Sequence, residues 1–125
     1  MLACALSFEK NMILDFNKIE ASVIPNFKGG EKALKAQMFF DGKVRIMMGE
    51  LEQGASIGLH RHETNCEVIY VLSGEGRVLT DEGSEAVSAG EAHYCPMGAA
   101  HSLINDRPEP LRFFAVVPEQ CLEKE

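Results

Sequence analysis

Positive charge is scarce in this sequence: 12 Lys and Arg stand against 19 Asp and Glu, a net charge of −7 with histidine neutral. A phosphate-backbone partner needs clustered cations, so the balance argues against nucleic-acid binding. Cysteine is sparse as well. Cys4, Cys66, Cys95 and Cys121 are scattered, with no Cys-x-x-Cys pair. Nothing there reads as a zinc finger or a dithiol redox motif, and reduced thiols in a cytoplasmic protein are the expectation. No run approaches the roughly 20 apolar residues of a membrane span. The apolar start, Met1 to Phe8, has no basic lead and meets Glu9 and Lys10 too soon for a signal peptide. Also missing are a Gly-x-Gly-x-x-Gly opening a helix, a phosphate loop and a Gly-x-Ser-x-Gly elbow, the marks of nucleotide binding and of serine hydrolases. Helical periodicity is weak throughout.

What the chain does have is punctuation. Its 125 residues are 46% hydrophobic and 25% charged, an ordinary globular balance and one domain's worth of length. Turn signals recur every few residues, among them Gly29-Gly30, Asp41-Gly42, Gly74, Gly90, Pro96-Met97-Gly98 and Pro108-Glu109-Pro110. Between them lie β-branched and aromatic runs: Val44 to Met48, Val68 to Leu72, Arg77 to Thr80 and Leu111 to Val117. The pattern predicts an all-β sandwich or barrel of about eight to ten strands with little helix. Asp41-Gly42 is a hairpin signal. Glu31 to Gln37 reads as either a helix or the approach to a strand, and Pro118 to Glu125 as a short terminal helix. One β domain is expected over residues 12–125, behind a dispensable tail over residues 1–11. Met12 reads as an alternative start.

Four histidines occur in the chain. His60 and His62 stand two apart, so on a strand both imidazoles leave the same face, as one metal ion requires. Glu67 follows five positions after His62, a spacing that strict alternation would place on the opposite face. The polar Glu63-Thr64-Asn65 between them suits a turn, which lets Glu67 face the histidines from the returning strand. His101, after Pro96-Met97-Gly98, would bring a third imidazole from a separate strand. Three nitrogens and one carboxylate suit Fe, Mn, Ni or Zn. On an octahedral ion they leave positions for water, substrate or dioxygen, as catalytic sites do.

The joint spacing is more specific than any one of these residues. Gly54, His60, His62, Glu67 and Gly74 form one motif, and Gly90, Pro96, Gly98, His101 and Asn105 form another, 15 residues on. All ten positions and every gap resemble the two signature motifs of the cupin family. The match spans about two-fifths of the chain. The resemblance implies an antiparallel jelly-roll β-barrel with a metal at its mouth. It implies His60, His62, Glu67 and His101 as ligands of one divalent transition metal, the motif glycines and Pro96 as turn-setting residues, and Asn105 as a structural hydrogen-bonder. Small cupins of this kind include dioxygenases, decarboxylases, sugar isomerases and lyases, so the implied function is an enzyme acting on a small oxygen-rich metabolite. The alternative is a non-catalytic metabolite- or sugar-binding module. A homodimer is expected, with the apolar positions of Met12 to Phe27 as its contact.

Other residues are weaker candidates for the pocket. His93 and Cys95 share one face of their strand, and if that face is inward His93 stands near the metal as a possible general acid. If it is outward, Tyr94 points inside instead. Tyr70 is a second candidate, as a hydrogen-bond donor to a ligand oxygen. Cys66 reads as a small apolar filler pointing away from Glu67. Phe39-Phe40, Met47-Met48 and Phe113-Phe114 should each send one member inward. Arg45, Arg77 and Arg112 are expected on the outer face, and any inward one would favour a carboxylate or phosphate ligand.

Overall fold

The computed structural model describes residues 10–120. Ten strands follow in chain order: β1 Ser22–Pro25, β2 Ala33–Phe40, β3 Val44–Leu51, β4 Ser56–Arg61, β5 Glu67–Ser73, β6 Glu75–Thr80, β7 Gly83–Ser88, β8 Ala92–Cys95, β9 Ala100–Ile104 and β10 Leu111–Pro118. They form a six-stranded sheet ordered β1-β2-β3-β10-β5-β8 and a four-stranded sheet ordered β4-β9-β6-β7, with every named pairing antiparallel. This is the jelly-roll arrangement of two sheets closed on one core. Among the described residues no helix is long and apolar enough to cross a membrane.

Glu31 to Gln37 runs into β2, so the strand alternative holds there. At the other end β10 runs through Pro118, and Glu119 makes an isolated bridge to Asn65. No helix forms over residues 118–120, because this backbone is already engaged in pairing. Residues 121–125 lie outside the described residues, as do Cys4, Cys121 and all but the last two positions of the expected tail.

Strand alternation fills the core. Leu34 and Ala36 of β2, Met47 and Leu51 of β3, Ile69 and Val71 of β5, and Leu111, Phe113 and Ala115 of β10 all face inward and are buried. Their neighbours face out. Phe114 meets Phe16 edge-on at 6.2 Å. The Gln37 amide donates to the carbonyls of Phe16 and Ile19. The segment before β1 therefore lies on the outer face of its own six-stranded sheet. Phe16 and Ile19 of the expected dimer contact are thus engaged within the chain, while Met12, Ile13 and Val23 of the same segment remain exposed.

Two glycines let a turn press onto the barrel wall. A Cβ on Gly58 would lie 2.0 Å from the Lys28 carbonyl oxygen, and one on Gly30 would lie 2.0 Å from the Ser56 oxygen. Only glycine permits that approach, which seats the 3-10 turn Phe27–Gly29 against β4.

Candidate metal centre

Strand geometry assembles the site from four places. His60 is in β4 and His62 one residue past its end; Glu67 opens β5, and His101 sits in β9 directly opposite His60. Counting from the inward-facing Ile57, strict alternation would send His60 outward. A register shift between Ile57 and His60 inserts one extra residue in β4 and turns His60 back to the inner face. His62 is held through its backbone: its N–H donates to the Ala99 carbonyl and its own carbonyl accepts from the Gly98 N–H, at 3.0 and 2.6 Å. The Pro96–Ala99 turn thus couples the second motif to the first. Gly98 sits there at φ 94°, a conformation that favours glycine.

The donor atoms converge. His62 Nε2 is 3.2 Å from His60 Nε2, 3.0 Å from His101 Nε2 and 3.1 Å from Glu67 Oε1, which is 2.9 Å from His101 Nε2. His62, Glu67 and His101 are buried and His60 is half-buried. Burial alone would raise the Glu67 carboxyl, but hydrogen bonding with His101 and His62 holds it down at about 2. The same contact with Glu67 raises His62, whereas burial lowers His60.

The outward nitrogens decide what the inward ones can do. His60 Nδ1–H donates to the Gly58 carbonyl at 2.7 Å. His62 Nδ1–H donates to Asn65 Oδ1 at 2.6 Å, and the Asn65 amide in turn donates to Glu119 at 2.7 Å. With the Asn65 nitrogen committed to that carboxylate, its oxygen must face His62. Both imidazoles, when neutral, therefore aim Nε2 lone pairs at each other and at a carboxylate. Such a set is repulsive without a positive charge at its centre, and a divalent cation neutralises all four donors together. The residues fit a metal.

His93 and Cys95 face inward, because they pair with Ile69 and Glu67 on the inner face of β5. His93 Nε2 lies 3.0 Å from His101 Nδ1, so His93 backs a ligand and is not among the residues lining the cavity in front of the metal donors. Burial lowers its basicity. His93, Cys95 and His101 also lie within 4.8 Å of one another through a nitrogen or sulfur each. Burial pushes the Cys95 thiol up to about 11, however, and metals bind the thiolate. Tyr70 is a correction: β5 alternation puts it on the outer face with Val68 and Leu72, exposed and away from the donors. Cys66 is buried, and Asn105 is the structural hydrogen-bonder expected, with its amide donating to the Leu51 and Glu109 carbonyls at 2.8 Å each.

In front of the donors lies a cavity of about 60 Å³. Small-molecule sites for drug-sized ligands run to roughly 300 Å³ and more, so this one suits a ligand of a few heavy atoms. Met47, Ile57, Ile69, Leu103 and Val117 supply apolar wall. Arg45 also lines it, against expectation: it shares the inward parity of Met47 and Leu51 on β3. Arg77 and Arg112 do face outward, toward Ser84 and Glu50.

Comparison with known proteins agrees with this geometry. The family model described as "Cupin domain" matches residues 47–117, more than half of the chain. The chain belongs to the cupin family. An oxalate-binding protein of Thermotoga maritima is 31% identical over 113 residues, covering 85% of this chain and 93% of that protein. The crystal structure of a predicted oxalate decarboxylase from Thermotoga maritima superposes with a TM-score of 0.81 at 28% identity, covering 87% of this chain and 100% of the other. An RmlC-like cupin from Shewanella frigidimarina gives 0.72 at 20% identity over 89% and 93% of the two chains, a likeness of fold.

Proposed function

We propose that this cupin captures a small carboxylate of the oxalate class at a divalent metal held by His60, His62, Glu67 and His101. The observation that carries the reading is the convergence of four donor atoms at the wall of a cavity too small for a large metabolite. The bound metal would supply Lewis acidity toward a ligand oxygen. The chain's own side chains do the rest. The Asn65 and Gly58 oxygens hold two imidazoles in the ligating tautomer, while the apolar wall excludes water and strengthens polar contacts inside. The Thermotoga relative named for oxalate binding, similar over most of both chains, supports the ligand class.

Capture is favoured over turnover by what lines the cavity. Outside the four donors, its titratable side chains are Lys28 and Arg45, with no further carboxylate or imidazole to serve as general acid or base. Metal-dependent turnover of the same ligand is the second reading, favoured by the backbone likeness to a predicted oxalate decarboxylase. Calorimetry separates them. Protein loaded with Mn, Fe, Ni or Zn is expected to bind oxalate at one saturable site that vanishes when the metal is stripped. No oxalate binding with any of the four metals would overturn the proposal. Formate or carbon dioxide released in the same samples would replace capture with catalysis.

Self-association belongs to the same proposal, extended along the outer face of the six-stranded sheet to β5 and β8. Val68, Tyr70 and Leu72 point outward from β5, with Tyr94 paired to Val68 on the edge strand β8, and all four are exposed. A second copy laid on this apolar row would cover it and protect the edge. A monomeric mass by light scattering at micromolar concentration would remove the idea.

A further inference from the structure

Two cations line the metal cavity, the exposed Lys28, whose amine lies over the Phe27 ring, and the half-buried Arg45. Neither forms an ion pair with a carboxylate of the described residues. Arg45 stacks its guanidinium on the Phe40 ring at 4.5 Å, which orients the fork but neutralises nothing. Its Nε is fully buried with no hydrogen-bond partner, the one side-chain nitrogen or oxygen of the described residues in that condition. A buried charged donor left unpaired is expensive, and native proteins keep few of them. Lys28 is held there at a backbone cost. It adopts φ 55°, and Asn26 and Lys32 on either side lie at 51° and 55°, three non-glycine residues in the left-handed region within a seven-residue segment. The close packing of Gly30 and Gly58 locks that turn to the barrel wall. Strain retained in this way is a mark of a functional position.

The cavity thus carries a positive surplus in a protein of net charge −7. Among the residues lining it, Lys28 and Arg45 stand against the single carboxylate Glu67 before any metal charge is added; Glu119, outside the lining, feels Arg45 without pairing to it. A monoanion on the metal would leave both side chains unanswered.

We infer that Lys28 and Arg45 form an anion-binding end of this cavity and select ligands carrying a second negative group beyond the one the metal takes. The inference rests on the carboxylate reading above and deepens it from carboxylates to small dianions. Arg45 is the directional element, because its fork matches a carboxylate edge, while Lys28 acts as a point charge. Neither is placed in the metal shell, so both act as specificity-determining residues.

The test compares oxalate with glycolate, a two-carbon ligand with one carboxylate. Dissociation constants are measured calorimetrically on metal-loaded wild type, Arg45→Met and Lys28→Asn. Asparagine tolerates the left-handed region, so the second variant removes the charge and keeps the turn. Each variant is expected to keep its metal by elemental analysis and to weaken oxalate about ten- to a hundredfold while moving glycolate less than about threefold. Equal weakening of both ligands, or of neither, would overturn the inference and leave the carboxylate reading standing. A wild type that binds neither ligand would overturn that reading and take the inference with it.

Discussion

Replacing His101 with alanine should strip the protein of its metal while the barrel remains folded. Wild type purified with metal available is expected to hold about one equivalent by elemental analysis, and the variant a small fraction of that. The size of the effect follows from geometry. His101 Nε2 lies within 3.0 Å of both His62 Nε2 and Glu67 Oε1, so its removal opens the centre of the donor set. Loss of a residue that merely orients a ligand typically costs 10–100-fold in affinity, and loss of a ligand itself costs more. Asn65→Leu provides that internal scale: it removes the acceptor of His62 Nδ1–H and should weaken metal binding by about 10–100-fold without abolishing it. The fold should survive in both variants, because the hydrophobic core is built from other residues. A single cooperative unfolding transition in His101→Ala, with metal gone, is the expected result. Full occupancy in that variant would refute the ligand assignment, and loss of folding would make the metal structural.

The second large effect lies in the core. Phe113→Ala should destabilise the protein by about 3–5 kcal/mol, a large part of the roughly 5–15 kcal/mol that holds a domain folded. Phe113 is fully buried in β10, between β3 and β5. Its ring occupies space that exists because the residue opposite is glycine. A Cβ on Gly49 would lie 2.3 Å from the Phe113 ring. This pairing makes a sharper prediction than the single variant. Gly49→Ala alone should be strongly destabilising through overpacking, yet in the Phe113→Ala background the added methyl enters the vacated space. The double variant is therefore expected to be more stable than the sum of the two changes predicts, by urea denaturation. Strict additivity would show that ring and glycine do not share that space.

The ten motif positions, through their resemblance to the cupin signatures, pointed to the four side chains whose donor atoms converge in three dimensions. Such spacing is legible because strands and turns impose short-range geometry. His60 and His62 are two apart on one wall, and Gly98 reaches the left-handed conformation needed ahead of His101. Strand content was equally readable, since β-branched runs between glycine and proline turns leave little else to form. Two of the three hydrophobic pairs sent one member into the core, Met47 and Phe113, whereas Phe40 of the third is exposed at the end of β2.

Other features depended on contacts between residues far apart in the chain. The inward parity of His93 and Cys95 follows from the pairing of β8 with β5, whose register no local pattern states. Tyr70 is different, because its own strand carried the answer: with Glu67 facing the histidines, alternation along β5 sends Tyr70 outward. The bulge before His60 is set by pairing with β9. Arg45 was misread because arginine on a strand ordinarily seeks solvent, and its inward parity at the end of β3 leads into a polar cavity rather than an apolar core. The candidate metal ligands were thus legible in local spacing. Its surroundings, the supporting Asn65–Glu119 pair and the two unpaired cations, came from tertiary structure, because only the packing of distant strands brings those side chains together.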